Sequence, residues 1–239
     1  WLKQIAAIGA GPYMDIVAVH PYRQPASPEE RLAEDLARVR AWIEKELPSP
    51  RGVSERQLWI TEIGYHTRGD HGPVSEQDAA RHLVRTVVTA LASGVPKIYW
   101  YEFADGGVDQ AYSERNFGLT YHNLTPKPAY VAYSVMERLI GGATAARRLT
   151  SNDEAYHAYL LSSEPGDVIV AWTVAGEHSV FVSADGPITV IDLMGRTMPM
   201  SETIPDKCHG ARTLTLTPSP IYVLGRNVSI GSLRRGRIE

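Results

Sequence analysis

The chain has 239 residues, 44% of them hydrophobic and 21% charged, with a formal net charge of −3; this is globular composition, long enough for one large domain or two small ones. That balance argues against nucleic-acid or anionic-membrane binding driven by bulk charge, and no apolar run reaches the length of a membrane span. The single cysteine, Cys208, excludes an internal disulfide and a cysteine-pair metal site.

In chain order, Trp1, Leu2, Ile5, Ala6 and Ile8 read as the end of a helix stopped by Gly9 and Gly11. Asp15 to His20 is an apolar run without clean alternation, as expected of a strand covered on both faces, and Pro21 ends it. Ser27-Pro28-Glu29-Glu30 reads as a helix start, with a serine cap, proline in the first turn and glutamate three residues past the cap. Leu32, Leu36, Val39, Ile43 and Leu47 continue at helical spacing until Pro48 and Pro50. A polar loop over 49–56 leads into Leu58-Trp59-Ile60-Thr61-Glu62-Ile63-Gly64-Tyr65, a buried strand that ends on a carboxylate. The loop from Tyr65 to Pro73 is long for a βα connection, and reads as solvated even at His66, Arg68 and His71. Ser75 caps a helix carrying Leu83, Val87, Val88 and Leu91, closed by Gly94. Lys97 to Phe103 is a third strand, 104–125 a polar loop, and a last helix runs from about Pro126 to Gly141-Gly142.

Residues 1–142 thus alternate helix and strand, which implies a parallel sheet. From 143 the grammar changes. Tyr156–Leu161, Val168–Val174, Ser179–Ser183, Ile188–Asp192, Leu214–Leu216 and Ile221–Leu224 are short strand candidates. Turn signals such as Glu164-Pro165-Gly166-Asp167, Ala175-Gly176 and Asp185-Gly186-Pro187 separate them, so 143–239 reads as a small antiparallel β-sandwich. The basic run Arg234-Arg235-Gly236-Arg237 reads as a frayed, solvated terminus.

Ligands of parallel α/β sheets bind at the carboxyl ends of the strands. Here those ends offer His20, Tyr22 and Arg23; then Glu62, Tyr65 and His66; then Trp100, Glu102 and Asp105. Imidazole, phenols, an indole and carboxylates on one rim suit a sugar cleft. Aromatic faces stack on the apolar faces of pyranose rings, while polar groups bind the hydroxyls. Other chemistries lack their spacing. There is no His-Glu-x-x-His, no Gly-x-Ser-x-Gly elbow, and Gly9-Ala10-Gly11 precedes a strand instead of following one. No metal or cofactor is called for.

Asp15 to Tyr22, Trp59 to Tyr65 and Tyr99-Trp100-Tyr101-Glu102-Phe103-Ala104-Asp105 resemble strands six, seven and eight of a retaining (β/α)8 glycoside hydrolase. The clan is the one containing family 39 and family 5 enzymes, β-xylosidase and α-L-iduronidase among them. Phe117-Gly118-Leu119 through Tyr130 is similar to the loop and last helix of such barrels, and the β-rich tail to the sandwich that follows them. The resemblance implies an α/β fold: the C-terminal portion of a TIM barrel, about strands 6–8 over 1–142 and catalytic, then an accessory β-sandwich over 143–239. It implies an O-glycosidase acting on a glycoside or an oligo- or polysaccharide, with Glu62 as nucleophile. His20, Tyr22, Tyr65, Trp100 and Asp105 would bind substrate, and Glu102 would shape the loop. Structural roles stay open for these groups: Trp100 as a core indole, His20 and Tyr22 as strand-end residues. The acid/base of that clan is a glutamate following asparagine at the end of strand four, and no Asn-Glu pair occurs in this sequence. A catalytically silent carbohydrate-binding or scaffold protein is therefore the alternative. The chain opens at Trp1 in mid-helix without a signal-peptide pattern, the look of a piece of something longer; a secreted or periplasmic parent is compatible with it.

Overall fold

The computed structural model describes residues 2–47, 56–149, 155–162, 166–200, 211–234 and 237–238. The expected helix stop at Pro48 and Pro50, most of the loop over 49–56, Cys208, Arg235-Gly236 and part of the turn at 164–167 lie outside them. The chain divides into two compact units, one of residues 1–74 and 89–124, the other of 75–88 and 125–239.

The first unit is built on three parallel strands, β1 (Ile16–Val19), β2 (Gln57–Ile63) and β3 (Ile98–Trp100), in the order β1-β2-β3. β1 and β2 pair from Ile16↔Gln57 to Val19↔Ile60. One face of the sheet closes over a core of Val17, Leu58, Ile60 and Ile63 with Leu32, Leu36, Ile43 and Leu47. The last four come from α2 (Leu32–Glu46) and its C-cap, and the periodic stripe buries as its spacing requires. A short α1 (Leu2–Ala7) precedes β1, and Gly9 takes a left-handed φ of 83° just beyond it.

α2 begins four residues later than the capping pattern implies. Ser27 spends its carbonyl on the Glu30 N–H, Arg31 N–H bonds the Glu29 carbonyl, and Arg31 itself sits at φ 72°. Pro28 to Arg31 is thus a turn, and a left-handed residue cannot be continuous with the helix that follows. Just before β2, buried Arg56 donates to the carbonyls of Met14, Gly11 and Leu47, joining three segments.

In the second unit, α3 (Glu76–Ala92), whose later residues belong to the first unit, starts as the sequence indicates. The Ser75 hydroxyl accepts the Asp78 N–H at 3.0 Å and donates to the Asp78 carboxylate at 2.7 Å. Burial pushes the Asp78 carboxyl up, but Ser75 and Arg81 outweigh it and hold the group below the usual carboxylate range. After α4 (Pro128–Ile140) come two antiparallel sheets. Five strands lie in the order β4-β5-β6-β10-β8 and four in the order β12-β11-β7-β9. Val180, Val182, Leu214 and Leu216 of one sheet and Ala158, Ile169, Ala171, Ile221 and Val223 of the other share one core, the arrangement of a sandwich.

The six expected strands are present as β5 (His157–Ser162), β6 (Val168–Trp172), β7 (His178–Ser183), β8 (Thr189–Ile191), β9 (Arg212–Leu216) and β10 (Ile221–Leu224). Three more were not legible. Among the described residues β4 (Ala145–Arg148) pairs with β5 alone, and its sequence is Ala-Ala-Arg-Arg, with no β-branched residue. β11 (Ser229–Arg234) and β12 (Arg237–Ile238) pair antiparallel with Arg234 opposite Arg237, so these two arginines of the basic run stand in paired backbone and are not frayed. Buried Trp172 stacks against His157 at 5.6 Å and Tyr159 at 5.3 Å, with the Arg85 guanidinium of α3 5.9 Å from its ring. Arg85 also donates to the carbonyls of Thr173 and Pro218. Among the described residues no helix is long and apolar enough to cross a membrane.

Tyr222 of β10 is fully buried, and its hydroxyl has no hydrogen-bond partner among the described residues. Burial raises its pKa well above the ordinary tyrosine value, near 10. Above about pH 10 the unfolded chain therefore loses a proton that the folded chain keeps, so stability is complete below that pH and declines above it. Tyr222→Phe removes both the stranded hydroxyl and this titration. Calorimetry of the variant should show a gain of about 1 kcal/mol at pH 7 and a shallower fall in Tm above about pH 10.

Candidate active site

Because β1, β2 and β3 are parallel, their carboxyl ends meet along one rim. Strict alternation along β2 would put Glu62 on the same face as Leu58 and Ile60, inside the core. The β2–β3 ladder avoids this. Ile60 pairs with Ile98 and Ile63 with Trp100, so three steps on β2 match two on β3. This irregularity shifts the parity, as a bulge does. Ile63 takes the fully buried position, and the Glu62 side chain stays 37% exposed at the rim.

Two strand-end residues of the β1 side hold that neighbourhood. The Tyr22 hydroxyl donates to Glu62 Oε1 at 2.7 Å. His20 Nε2 lies 3.0 Å from the Thr61 hydroxyl, and its Nδ1 is 3.8 Å from Glu62 Oε2, an ion pair when the ring is protonated. Burial first, then the hydrogen bond to Glu62 and the charges of Glu62, Tyr101 and Glu114, push the Tyr22 phenol far up, so it remains a donor. Tyr101 is raised as well, by burial and then by Glu102, Glu114 and Glu62. Glu114, on the turn Ser113–Arg115, therefore contributes to the same negative field, although its sequence context gives no sign of it.

The other sequence candidates are placed differently. Tyr65 is 1% exposed, stacks on Trp100 at 6.2 Å and 29°, and donates its hydroxyl to the Ala26 carbonyl. It stands behind the indole and anchors the segment after β1. Asp105 is 7% exposed, and its Oδ1 accepts the Gly118 N–H at 2.9 Å. The loop after β2 is not solvated at His66: this ring is buried, contacts the Arg68 carbonyl through Nδ1 at 3.0 Å, and meets Phe117 edge-on. His71 is exposed, within 3.1 Å of Asp70.

Phe117 is the residue that sequence reasoning leaves without a role. Its ring meets Tyr22 at 5.9 Å, His66 at 5.1 Å and Tyr101 at 5.3 Å, each near-perpendicular. The signal was a Phe-Gly-Leu triplet closing a polar loop. In space, 117–120 runs back beside 102–105, with Leu119 N–H on the Glu102 carbonyl and Thr120 N–H on the Phe103 carbonyl. Residues 116–120 of the expected polar loop are therefore buried, while 122–125 are exposed. Among the described residues no group of three or more histidine, cysteine, aspartate or glutamate side chains is arranged to hold a metal ion.

No protein-family model matches the sequence, and no curated protein matches it. Solved structures do. One is a family 39 glycoside hydrolase from the gut symbiont Bacteroides cellulosilyticus WH2, with a TM-score of 0.77 and 22% identity over 93% of this chain and 46% of that one. The likeness is one of fold, to part of the (β/α)8 barrel that such hydrolases carry and the sheets beyond it. A family 51 α-L-arabinofuranosidase from Bifidobacterium longum matches at a TM-score of 0.57 and 12% identity, over 88% of this chain and 52% of that one. A 4-O-α-L-rhamnosyl-β-D-glucuronidase from Fusarium oxysporum 12S matches at 0.56 and 14%, over 93% and 56%. The chain spans about half the length of these glycosidases. The expected class, the last strands of such a barrel followed by a small β-sandwich, is the one observed; the described strands form no closed barrel.

Gly64 is required by space alone. A Cβ there would lie 1.9 Å from the Tyr101 carbonyl oxygen, on the backbone that continues β3. Gly64→Ala must force β2 and the Tyr101 segment apart, at a cost of about 3 kcal/mol or more. Urea denaturation should show that loss, and tryptophan fluorescence should report altered packing around Trp100.

Proposed function

We propose that the chain is the nucleophile-bearing part of a retaining O-glycosidase, with Glu62 as the attacking carboxylate. The observation that carries this reading is the Tyr22–Glu62 hydrogen bond at a strand-end rim, with Glu62 still open to solvent. A nucleophilic carboxylate needs one oxygen held and the other directed at the anomeric carbon. Tyr22 holds Oε1, His20 stands near Oε2, and the half-buried Trp100, backed by Tyr65, supplies a flat apolar surface for a sugar ring. In this reading His20, Tyr22 and Trp100 contact substrate, while Tyr65 and Asp105 position the residues that do. Residues 1–142 would be catalytic and 143–239 accessory. The fold supports the enzyme class and not the chemistry, since one fold hosts many functions.

In the first step the Glu62 carboxylate forms a bond to the anomeric carbon while the glycosidic C–O bond breaks. The leaving oxygen keeps the electron pair and takes a proton from a general acid. In the resemblance that acid is a glutamate after asparagine, a pair this sequence does not contain. A leaving group that departs as a stable anion needs no such proton. A 2,4-dinitrophenyl 2-deoxy-2-fluoroglycoside therefore tests the nucleophile on the chain itself. Intact mass and peptide mapping should find one glycosyl ester, on the peptide containing Glu62, with one equivalent of dinitrophenolate released. Glu62→Gln should abolish the adduct, and Tyr22→Phe should slow it about tenfold or more. Labelling that survives Glu62→Gln excludes Glu62 as nucleophile. Saccharide binding without any labelling favours the silent carbohydrate-binding alternative, for which the missing Asn-Glu pair speaks.

A further inference from the structure

One of the three edge-on contacts of Phe117 falls on Tyr22, the donor to Glu62. We infer that Phe117 is a positioning residue: its ring holds the Tyr22 phenol at the place and angle from which it donates to Glu62 Oε1. The inference rests on the reading of Glu62 as nucleophile.

Tyr22 needs such a support. It leaves β1 on a three-residue turn through Pro21, closed by its N–H on the His20 carbonyl at 3.0 Å. Its side chain is only half-buried. A ring open to solvent on one side can pass to another staggered rotamer unless neighbours occupy the remaining space. The contact with Glu62 is short, at 2.7 Å, and such charge-assisted bonds weaken steeply as distance and angle depart from their best values. A small swing of the ring would therefore release the carboxylate oxygen.

Phe117 is fixed well enough to prevent that swing. It is buried, and the backbone on either side of it is tied to the ends of two other strands. Before it, the Asn116 carbonyl accepts the Thr67 N–H, from the loop after β2, at 3.0 Å. Its own carbonyl accepts the Glu102 N–H at 3.3 Å, and Leu119 N–H bonds the Glu102 carbonyl at 2.9 Å. After it, the Gly118 N–H is held by Asp105 Oδ1 at 2.9 Å.

The ring is confined as closely as its backbone. It occupies the space that Gly64 leaves, since a Cβ at Gly64 would lie 3.2 Å from Phe117 Cδ1. Tyr101 and His66 each meet it at an interplanar angle of 68°, so it cannot draw back from Tyr22, which it meets at 74°. Edge-to-face pairs have direction as well as contact, because the positive edge of one ring seeks the negative face of the other. The phenol of the β1 end is thus set from the β3 side of the rim. A leucine at 117 would keep an apolar filler and lose the direction.

The test joins a double-mutant cycle on labelling by the 2,4-dinitrophenyl 2-deoxy-2-fluoroglycoside to the carbon-13 resonance of Tyr22 Cζ in tyrosine-labelled chain. Phe117→Leu should slow labelling about fivefold. In the Tyr22→Phe background it should slow labelling less than about twofold, because the bond it serves is already gone. The Tyr22 resonance should move in Phe117→Leu toward that of an exposed tyrosine at neutral pH. Equal losses in both backgrounds, or an unmoved Tyr22 resonance, overturn the inference and leave the Glu62 reading standing. If the parent chain takes no label, the Glu62 reading fails and the positioning role falls with it, whatever the resonance shows of the Phe117–Tyr22 contact. Should Phe117→Leu fail to fold, pentafluorophenylalanine at 117 nearly keeps the size of the ring and reverses its quadrupole, and the same changes are expected of it.

Discussion

The register shift between β2 and β3 is the constraint from which the rim follows. A regular ladder would carry Glu62 inward with Leu58 and Ile60, where a lone carboxylate meets a desolvation cost of several kcal/mol. One unmatched step hands the buried place to Ile63, and the acid emerges beside Tyr22 and His20. The same step brings the chain so close to the Tyr101 carbonyl that only glycine fits at position 64. The acid, the isoleucine and the glycine of Glu62-Ile63-Gly64 are three consequences of a single backbone event.

Much of this was legible. The apolar runs that become β1 and β2, the stripe of α2 and the Ser75 cap of α3 are local signals, and tertiary packing agrees with them. The strand ends pointed to His20, Tyr22, Glu62 and Trp100 because parallel strands collect their carboxyl ends on one side. What escaped depends on partners distant in sequence. Tyr65 reads as a substrate contact and His66 as a solvated loop residue until Trp100 and Ala26 engage the one and Phe117 covers the other. The loop over 104–125 is polar by composition, yet 116–120 is buried because its backbone bonds to 102–105. β4 lacked strand propensity and borrows its conformation from β5.

The electrostatic character of the rim is set by carboxylates and neutral donors. Glu62, Glu102 and Glu114 all act on Tyr101, and Glu62 and Glu114 on Tyr22. The nearest arginine along the chain, Arg23, is taken up by Asp35 at 2.7 Å, and that contact holds the Asp35 carboxyl low. Phenols that resist ionisation can donate to a carboxylate over a wide pH range without cancelling its charge. That property suits a nucleophile better than a permanent cation in direct contact would.

Arg56 carries an implication of a different kind. Its acceptors at Gly11, Met14 and Leu47 are all main-chain oxygens. The junction itself is indifferent to the side chains at those three positions, because every amino acid presents the same carbonyl; Leu47 and Met14 are constrained by the core instead. The guanidinium enjoys no such freedom: lysine, with a single ammonium in place of a planar fork, could not span three diverging acceptors at once. The junction thus constrains the identity of its donor and not of its acceptors, an asymmetry set by backbone geometry and not by catalysis.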